Sequence, residues 1–205
     1  MNFEILDDFI SKEDQDMIES EMLGNNFPWY FCPATATYIP GYSAQDANTK
    51  ENPQFEHIFY MLNKSNSTFT NSFKLQETFI QRLESLKGRD YFSRMIRAKA
   101  NLLHKNETFG TGNYNTPHID HVDEINDEQL NNRLETLLYY VNDSDGDTII
   151  FNERVTDYRK TKQLTTAITV TPKKGRAILF DSSYLHSSSP PRTHNSRVVL
   201  NFVFY

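Results

Sequence analysis

From residue 92 onward the chain follows a two-residue hydrophobic period, which is the period of a β-strand with one buried face. In the first such segment, four apolar residues alternate with a face that holds Arg97, Lys99 and Asn101. The segments with a strand pattern are 96–103, 117–122, 134–141, 148–151, 165–171, 176–180, 184–188 and 197–204. Eight short antiparallel strands in succession predict a jelly roll, in which two sheets face each other around a pocket.

Two helices are predicted ahead of these strands. Ser11 stands in the N-cap position before an acidic first turn, and the helix that it opens runs to Gly24. Apolar residues at helical spacing predict a second helix from Ser72 to Gly88. The segment 25–70 shows no clear period and is predicted to form long loops and short strands. The predicted fold is mainly β with flanking helices: a double-stranded β-helix (jelly-roll) core of eight strands, with the two N-terminal helices packed on one sheet.

Length and composition favour a single globular domain. The 205 residues divide into helices and substrate-side loops at 1–94 and a jelly-roll core at 95–205. The formal net charge is −6 and the basic residues are scattered, so nucleic acid is not an expected partner. Cys32 is the sole cysteine, and the sequence has neither a basic leader nor a membrane-spanning apolar run. We therefore expect a cytoplasmic protein without membrane contact, and the sequence indicates no particular oligomeric state.

The segment Pro117-His118-Ile119-Asp120 places a histidine and an aspartate two residues apart on a predicted strand. Residues i and i+2 of a strand project to the same face, so His118 and Asp120 can meet one metal ion. The third ligand must come from a different strand, and His186 can supply it. Two imidazoles and one carboxylate are the facial triad that binds non-haem Fe(II). A lone His-x-Asp pair is common by chance, so the prediction depends on the complete ordered set.

Four motifs occur in an order that resembles the Fe(II)- and 2-oxoglutarate-dependent oxygenases, with the prolyl 4-hydroxylases as the most similar branch. They are 117–120, then 139–143 with 146–148, then 171–180, and last His186 with Pro191 and Arg197. The resemblance covers residues 96–205, about half of the chain, and is weaker before them. It implies Fe(II) bound by His118, Asp120 and His186, with 2-oxoglutarate and O2 as cosubstrates and ascorbate as a candidate reductant.

The resemblance also implies a cosubstrate pocket. In this family a cation on the last core strand binds the C5 carboxylate of 2-oxoglutarate, and Arg197, eleven residues after His186, fits that place. Arg192 fits less well, and a solvated arginine at the start of a strand is the alternative interpretation of Arg197. Tyr140 matches a family tyrosine whose hydroxyl contacts the same carboxylate, and Asn101 is predicted to line the pocket.

A second His-x-Asp pair, His121-Val122-Asp123, lies inside the same motif. On a regular strand it would point away from His118 and Asp120, so both pairs cannot serve one ion. We prefer the first pair, because the family pattern often places a proline before the first ligand. Thr148 is interpreted as structural.

An aromatic segment at 27–42 has two interpretations: a wall that contacts the substrate, or a hydrophobic plug that closes the barrel's outer face. Its members are Phe27, Trp29, Tyr30, Phe31, Tyr38 and Tyr42.

The resemblance predicts a dioxygenase that hydroxylates an unactivated C–H bond, prolyl hydroxylase-like on a protein or peptide, and releases succinate and CO2. One alternative is a hydroxylase of a free amino acid or small metabolite, and another is a non-catalytic jelly-roll binding module. Nucleic-acid demethylases of the superfamily carry a second arginine six residues after the first, where this chain has Val203. That branch is disfavoured.

Overall fold

The structure is a computed structural model that describes residues 3–36, 43–62, 73–120 and 134–205. The elements in chain order are β1 (Phe3–Leu6), α1 (Lys12–Met22), β2 (Tyr30–Cys32), β3 (Gln54–Met61), α2 (Phe73–Lys87), β4 (Met95–His104), β5 (Glu135–Tyr140), β6 (Thr148–Arg154), α3 (Val155–Thr161), β7 (Thr166–Val170), β8 (Ala177–Asp181), β9 (Tyr184–Ser188) and β10 (Ser196–Phe204). The predicted class, mainly β with flanking helices, is confirmed.

Two antiparallel sheets face each other. The larger has seven strands in the order β1-β8-β5-β10-β4-β3-β2, and the smaller has three in the order β7-β6-β9. Leu138, Tyr140 and Val199 of the larger sheet form one buried cluster with Ile150 and Val170 of the smaller sheet. This shared cluster packs the two sheets against each other as in a jelly roll, and the pocket described below lies between the same two faces.

The opposite face of the larger sheet carries the helices. Ile18 of α1 and Phe79 of α2 belong to one buried cluster with Tyr139 of β5 and with Leu200 and Phe202 of β10. The Phe79 ring lies 4.7 Å from the Tyr139 ring and 5.2 Å from the Phe202 ring, measured between centroids. The larger sheet is therefore buried on both faces in its central strands, with helices on one side and the smaller sheet on the other.

The period-two pattern of β10 sorts its residues between these two faces. Val198 and Leu200 join the helix-side cluster, whereas Arg197, Val199 and Asn201 line the pocket. Hydrogen bonds to β4 on one side and to β5 on the other fix this register.

Helix boundaries follow local sequence signals. The Ser11 side chain accepts a hydrogen bond of 3.1 Å from the Asp14 amide at the start of α1, as predicted. Gly88 follows α2 with a φ of +65°, a left-handed conformation that suits glycine at a helix end. No helix among the described residues is long and apolar enough to cross a bilayer.

The structure differs from the prediction in three places. Segment 117–122 was predicted as a strand, but its described part has only an isolated bridge from His118 to Ser43 and His186. Pro117 lacks an amide hydrogen, which removes one ladder hydrogen bond there. Segment 25–70 contains the eight-residue strand β3, longer than the short strands expected. Helix α3 was not predicted.

Phe79→Ala should destabilise the protein by about 3–5 kcal/mol, because it removes a fully buried ring between the helices and the larger sheet. Chemical denaturation followed by circular dichroism measures the change. Phe92→Ala is the matched control: that ring is 49% exposed, and its loss should cost far less. Equal losses for the two variants would contradict this packing arrangement.

Candidate metal centre and adjoining pocket

The structure brings the three predicted metal ligands together. One ligand atom from each of His118, Asp120 and His186 lies within 4.8 Å of the other two. The two histidines pair through their backbones, because each amide donates a hydrogen bond of 3.0 Å to the other's carbonyl. His186 belongs to β9, which places the pair at the edge of the smaller sheet. The backbone pairing thus supplies the proximity that the sequence spacing alone does not.

Each imidazole is oriented by a carbonyl two residues earlier in the chain. His118 Nδ1 lies 2.9 Å from the Thr116 carbonyl oxygen, and His186 Nδ1 lies 3.2 Å from that of Tyr184. A carbonyl only accepts, so each Nδ1 must carry a hydrogen, and Nε2 is the ring nitrogen left to face a metal ion. His186 Nε2 lies 3.4 Å from an Asp120 carboxylate oxygen. Burial, then the neighbouring His186, lowers the pKa of His118 to about 4, so this ring is neutral at pH 7. Both imidazoles can therefore present Nε2 to one ion.

Asp120 is a buried carboxylate held by three donors. Arg97 donates to one oxygen at 2.6 Å, while Thr136 and Asn201 donate to the other at 3.0 and 3.1 Å. Burial alone would raise the pKa of Asp120, but the Arg97 guanidinium and His186 hold it well below its usual range. Asp120 is thus ionised. Two imidazoles and one carboxylate suit Fe(II) and leave coordination positions for other ligands.

Arg197 is a buried guanidinium beside this cluster, and its side chain forms no ion pair with an acid in the described ranges. Its Nε donates to the Gly146 carbonyl at 2.7 Å, and one terminal nitrogen donates to the Thr148 hydroxyl at 2.7 Å. A Cβ at Gly146 would lie 2.6 Å from the Ser189 carbonyl and 3.0 Å from Arg197 Cδ, so only glycine fits. A buried cation without an acid partner is a ready site for an anionic ligand.

Thr148 links Arg197 to Tyr140. The Tyr140 hydroxyl donates to the Thr148 hydroxyl at 2.8 Å, and the Arg197 guanidinium carbon lies 5.8 Å from the centre of the Tyr140 ring. A hydroxyl accepts two hydrogen bonds and donates one, so the Thr148 proton remains available to a ligand. Sequence reasoning treated Thr148 as structural. The structure instead places it in the pocket wall, with Tyr140 behind it.

A narrow pocket runs between the sheets from the metal-ligand cluster to Arg197 and Thr148. Leu138 and Val199 form apolar parts of its wall. Asn101 also lines it, as predicted, and the Asn101 side-chain oxygen is buried without a hydrogen-bond partner in the described structure. The pocket thus combines an anion site at one end with metal-binding donors at the other.

Two charged residues of this site were not singled out from the sequence: Arg97, which binds Asp120, and Lys99, which lines the pocket. Both alternate with alanines along β4, a pattern that also fits a solvent-facing strand. One sequence signal could have identified them: Arg97 and Lys99 share a strand face with Asn101, which was already expected to line the pocket.

The aromatic segment has two parts. Phe27 and Trp29 pack against the helix-side cluster, and the Trp29 indole donates to the Met22 carbonyl at 3.1 Å. Tyr30 and Phe31, on the edge strand β2, are 62% and 64% exposed. The plug interpretation therefore fits the first pair only. Tyr38, Tyr42 and the second His-x-Asp pair at 121–123 lie outside the described residues.

Comparisons with solved structures show the fold. An oxidoreductase of the 2OG-Fe(II) oxygenase family from Burkholderia pseudomallei matches with a TM-score of 0.59 and 12% identity, over 98% of this chain and 84% of that one. A prolyl hydroxylase in complex with a hypoxia inducible factor peptide fragment, from Trichoplax adhaerens, matches with a TM-score of 0.56 and 13% identity, over 99% and 83%. The epimerase SnoN from nogalamycin biosynthesis matches with a TM-score of 0.59 and 10% identity, over 99% and 77%.

No curated protein is significantly similar in sequence to this chain. A family model described as the 2OG-Fe(II) oxygenase superfamily matches residues 103–205, which is half of the chain and contains all three candidate ligands and Arg197. The chain therefore belongs to the 2OG-Fe(II) oxygenase superfamily, and it is a 2-oxoglutarate-dependent dioxygenase that uses Fe(II), 2-oxoglutarate and O2.

Proposed function

We propose that His118, Asp120 and His186 bind Fe(II), and that the protein hydroxylates an unactivated C–H bond with release of succinate and CO2. The observation that carries this proposal is the convergence of the three ligand atoms within 4.8 Å, with the Nδ1 atom of each histidine bound to a backbone carbonyl. We further propose that the chain forms a single oxygenase domain with residues 95–205 as its catalytic core. A reducing compartment such as the cytoplasm suits its one cysteine, Cys32.

The protein's own residues prepare the site for this chemistry. Bound Fe(II) would supply the redox chemistry that activates O2. The carbonyls of Thr116 and Tyr184 fix the ring orientation of the histidines, and Arg97 holds the Asp120 carboxylate in place. We assign Arg197 to the C5 carboxylate of 2-oxoglutarate. The apolar residues of the pocket wall limit access of water to the reacting groups.

The hydroxyl group of Thr148 is the second donor that we assign to this carboxylate. It accepts from both Tyr140 and Arg197, so its own proton can be donated to a further acceptor. Tyr140 acts through Thr148 in this assignment, whereas the sequence had suggested direct contact. Asn101 lines the pocket beside them.

Two substrate classes are supported. A protein or peptide, hydroxylated in the manner of a prolyl hydroxylase, is supported by the fold shared with a peptide-bound prolyl hydroxylase and by the exposed aromatics Tyr30 and Phe31 on β2. A small metabolite is supported by the fold shared with an enzyme of nogalamycin biosynthesis and by the narrow, charged pocket.

The direct test is succinate release by the purified protein with Fe(II), 2-oxoglutarate and O2, with and without proline-containing peptides and free amino acids. Mass spectrometry then detects a substrate that has gained one oxygen atom. Binding of Mn(II) and 2-oxoglutarate with no succinate under any condition would indicate the non-catalytic binding module instead.

His118→Ala and Asp120→Ala should each weaken Mn(II) binding by more than about 100-fold and abolish succinate release, because each removes a proposed metal ligand. Isothermal titration calorimetry and a succinate assay measure the two effects. His121→Ala is the matched control and should retain metal. Loss of metal in His121→Ala with retention in His118→Ala would refute the ligand assignment.

Arg197→Met should raise the apparent KM for 2-oxoglutarate by about 100-fold, because the C5 carboxylate would lose its charge-assisted hydrogen bonds. Mn(II) binding without cosubstrate should stay within a few-fold of wild type. Arg192→Met serves as the control and should leave both values unchanged. The assignment fails if Arg192→Met reproduces the effect and Arg197→Met does not.

Arg97→Met should destabilise the metal-free protein by about 3–5 kcal/mol, because it leaves the Asp120 carboxylate buried without its cation. Saturating Mn(II) should recover much of this loss, since the metal supplies the missing positive charge. Thermal unfolding with and without Mn(II) measures both effects. Lys173→Met removes an exposed pair with Asp7 and should cost less than about 1 kcal/mol in either condition.

A further inference from the structure

Lys99 is the one cation of the pocket that makes no hydrogen bond to another described residue. Arg97 is bound to Asp120, and Arg197 is assigned to the cosubstrate carboxylate. The nearest acid in the described part of the chain is Glu56, 3.7 Å from the Lys99 ammonium, which is beyond hydrogen-bonding distance. The Lys99 side chain is only 15% exposed, so water replaces a partner poorly.

The register of β4 places Lys99 at the metal end of the pocket. Leu103 lies opposite Arg197 of β10, whereas Lys99 lies opposite Asn201, which contacts Asp120. Four residues of a strand separate these two levels by about 13 Å. Lys99 is therefore far along the sheet from the residues assigned to the C5 carboxylate of 2-oxoglutarate.

On the side away from β10, Lys99 neighbours strand β3, toward the edge of the larger sheet. Ile58 of β3 lies directly opposite Lys99 and is 39% exposed. Opposed residues of an antiparallel pair share a face, so an apolar surface adjoins the ammonium. Lys99 thus lies between the metal-ligand cluster and the outer strands β3 and β2, on the side from which a substrate can approach.

Charge favours an anion at this position. Burial, followed by repulsion from Arg97, lowers the pKa of Lys99 despite the attraction of Asp120 and Glu56, and a bound carboxylate would offset both burial and the repulsion. A carboxylate would also provide the hydrogen-bond acceptor that Glu56 is too distant to provide.

We propose that Lys99 is a specificity-determining residue that binds the carboxylate of a small organic acid with an apolar body, such as an amino acid derivative, as the primary substrate. The inference rests on the proposed metal site and cosubstrate pocket, and it narrows the substrate to a carboxylate-bearing molecule. An internal segment of a peptide would not place a free carboxylate there.

The test uses Mn(II)-loaded protein saturated with 2-oxoglutarate, because Mn(II) serves as an unreactive substitute for binding measurements. Calorimetric titration compares N-acetyl-proline with N-acetyl-prolinamide, and N-acetyl-leucine with N-acetyl-leucinamide. The two members of each pair differ only in that one carries a carboxylate and the other carries an amide. At least one acid should bind ten times or more tightly than its amide.

Lys99→Met should reduce that preference to less than twofold, whereas Lys99→Arg should retain it. Lys12→Met is the matched control, since Lys12 has an equally long ion pair of 3.7 Å but is 70% exposed. It should behave as wild type. The affinity for 2-oxoglutarate should stay within twofold in all variants, which also shows that they are folded.

Wild-type protein that binds the acids no more tightly than the amides, or binds neither, overturns the inference. A tenfold or greater loss of 2-oxoglutarate affinity in Lys99→Met also overturns it, because Lys99 would then belong to the cosubstrate site. Failure of wild-type protein to bind Mn(II) and 2-oxoglutarate is a different result: it refutes the proposed function, and this inference with it.

Discussion

The alternation of side chains along β10 is the constraint on which both the core and the site depend. Val198 and Leu200 pack under the helices, and Arg197, Val199 and Asn201 enter the pocket. A shift of one residue would direct the guanidinium into the apolar helix layer and a leucine into the pocket. The hydrogen-bonded ladders with β4 and β5 oppose such a shift from both sides. The packing energy that fixes the register of β10 in the core therefore also fixes which of its side chains line the pocket.

The parts of this structure that were predictable from sequence are those encoded by local pattern. Period-two hydrophobicity indicated the strands because each central strand has a face that packs under the helices. His118 and Asp120 were identifiable because two residues on one strand share a face, and His186 and Arg197 followed from the order of motifs. The proximity of His186 to His118 is a product of backbone pairing, which only the folded chain supplies.

The parts that were not predictable depend on residues distant in sequence. Arg97 could have been a solvated residue on an exposed strand face. Its burial is explained by Asp120, 23 residues away, and by Asn201, 104 residues away. The role of Thr148 was missed for the same reason, since its partner Arg197 is 49 residues distant. Helix α3 was missed because it is short, with seven residues and no helical period long enough to distinguish.

The hydrogen bonds that hold Arg197 join β10 to the turn around Gly146, 51 residues earlier. No local segment of the chain contains the anion site, so it forms only when the last strand in chain order has docked. A ligand that occupies this site binds the folded state and not the unfolded state. At a ligand concentration about 100 times its dissociation constant, binding adds about 2.7 kcal/mol to the free energy of unfolding. If that ligand is 2-oxoglutarate, as proposed for Arg197, the resistance of the protein to proteases would rise with the concentration of this cosubstrate.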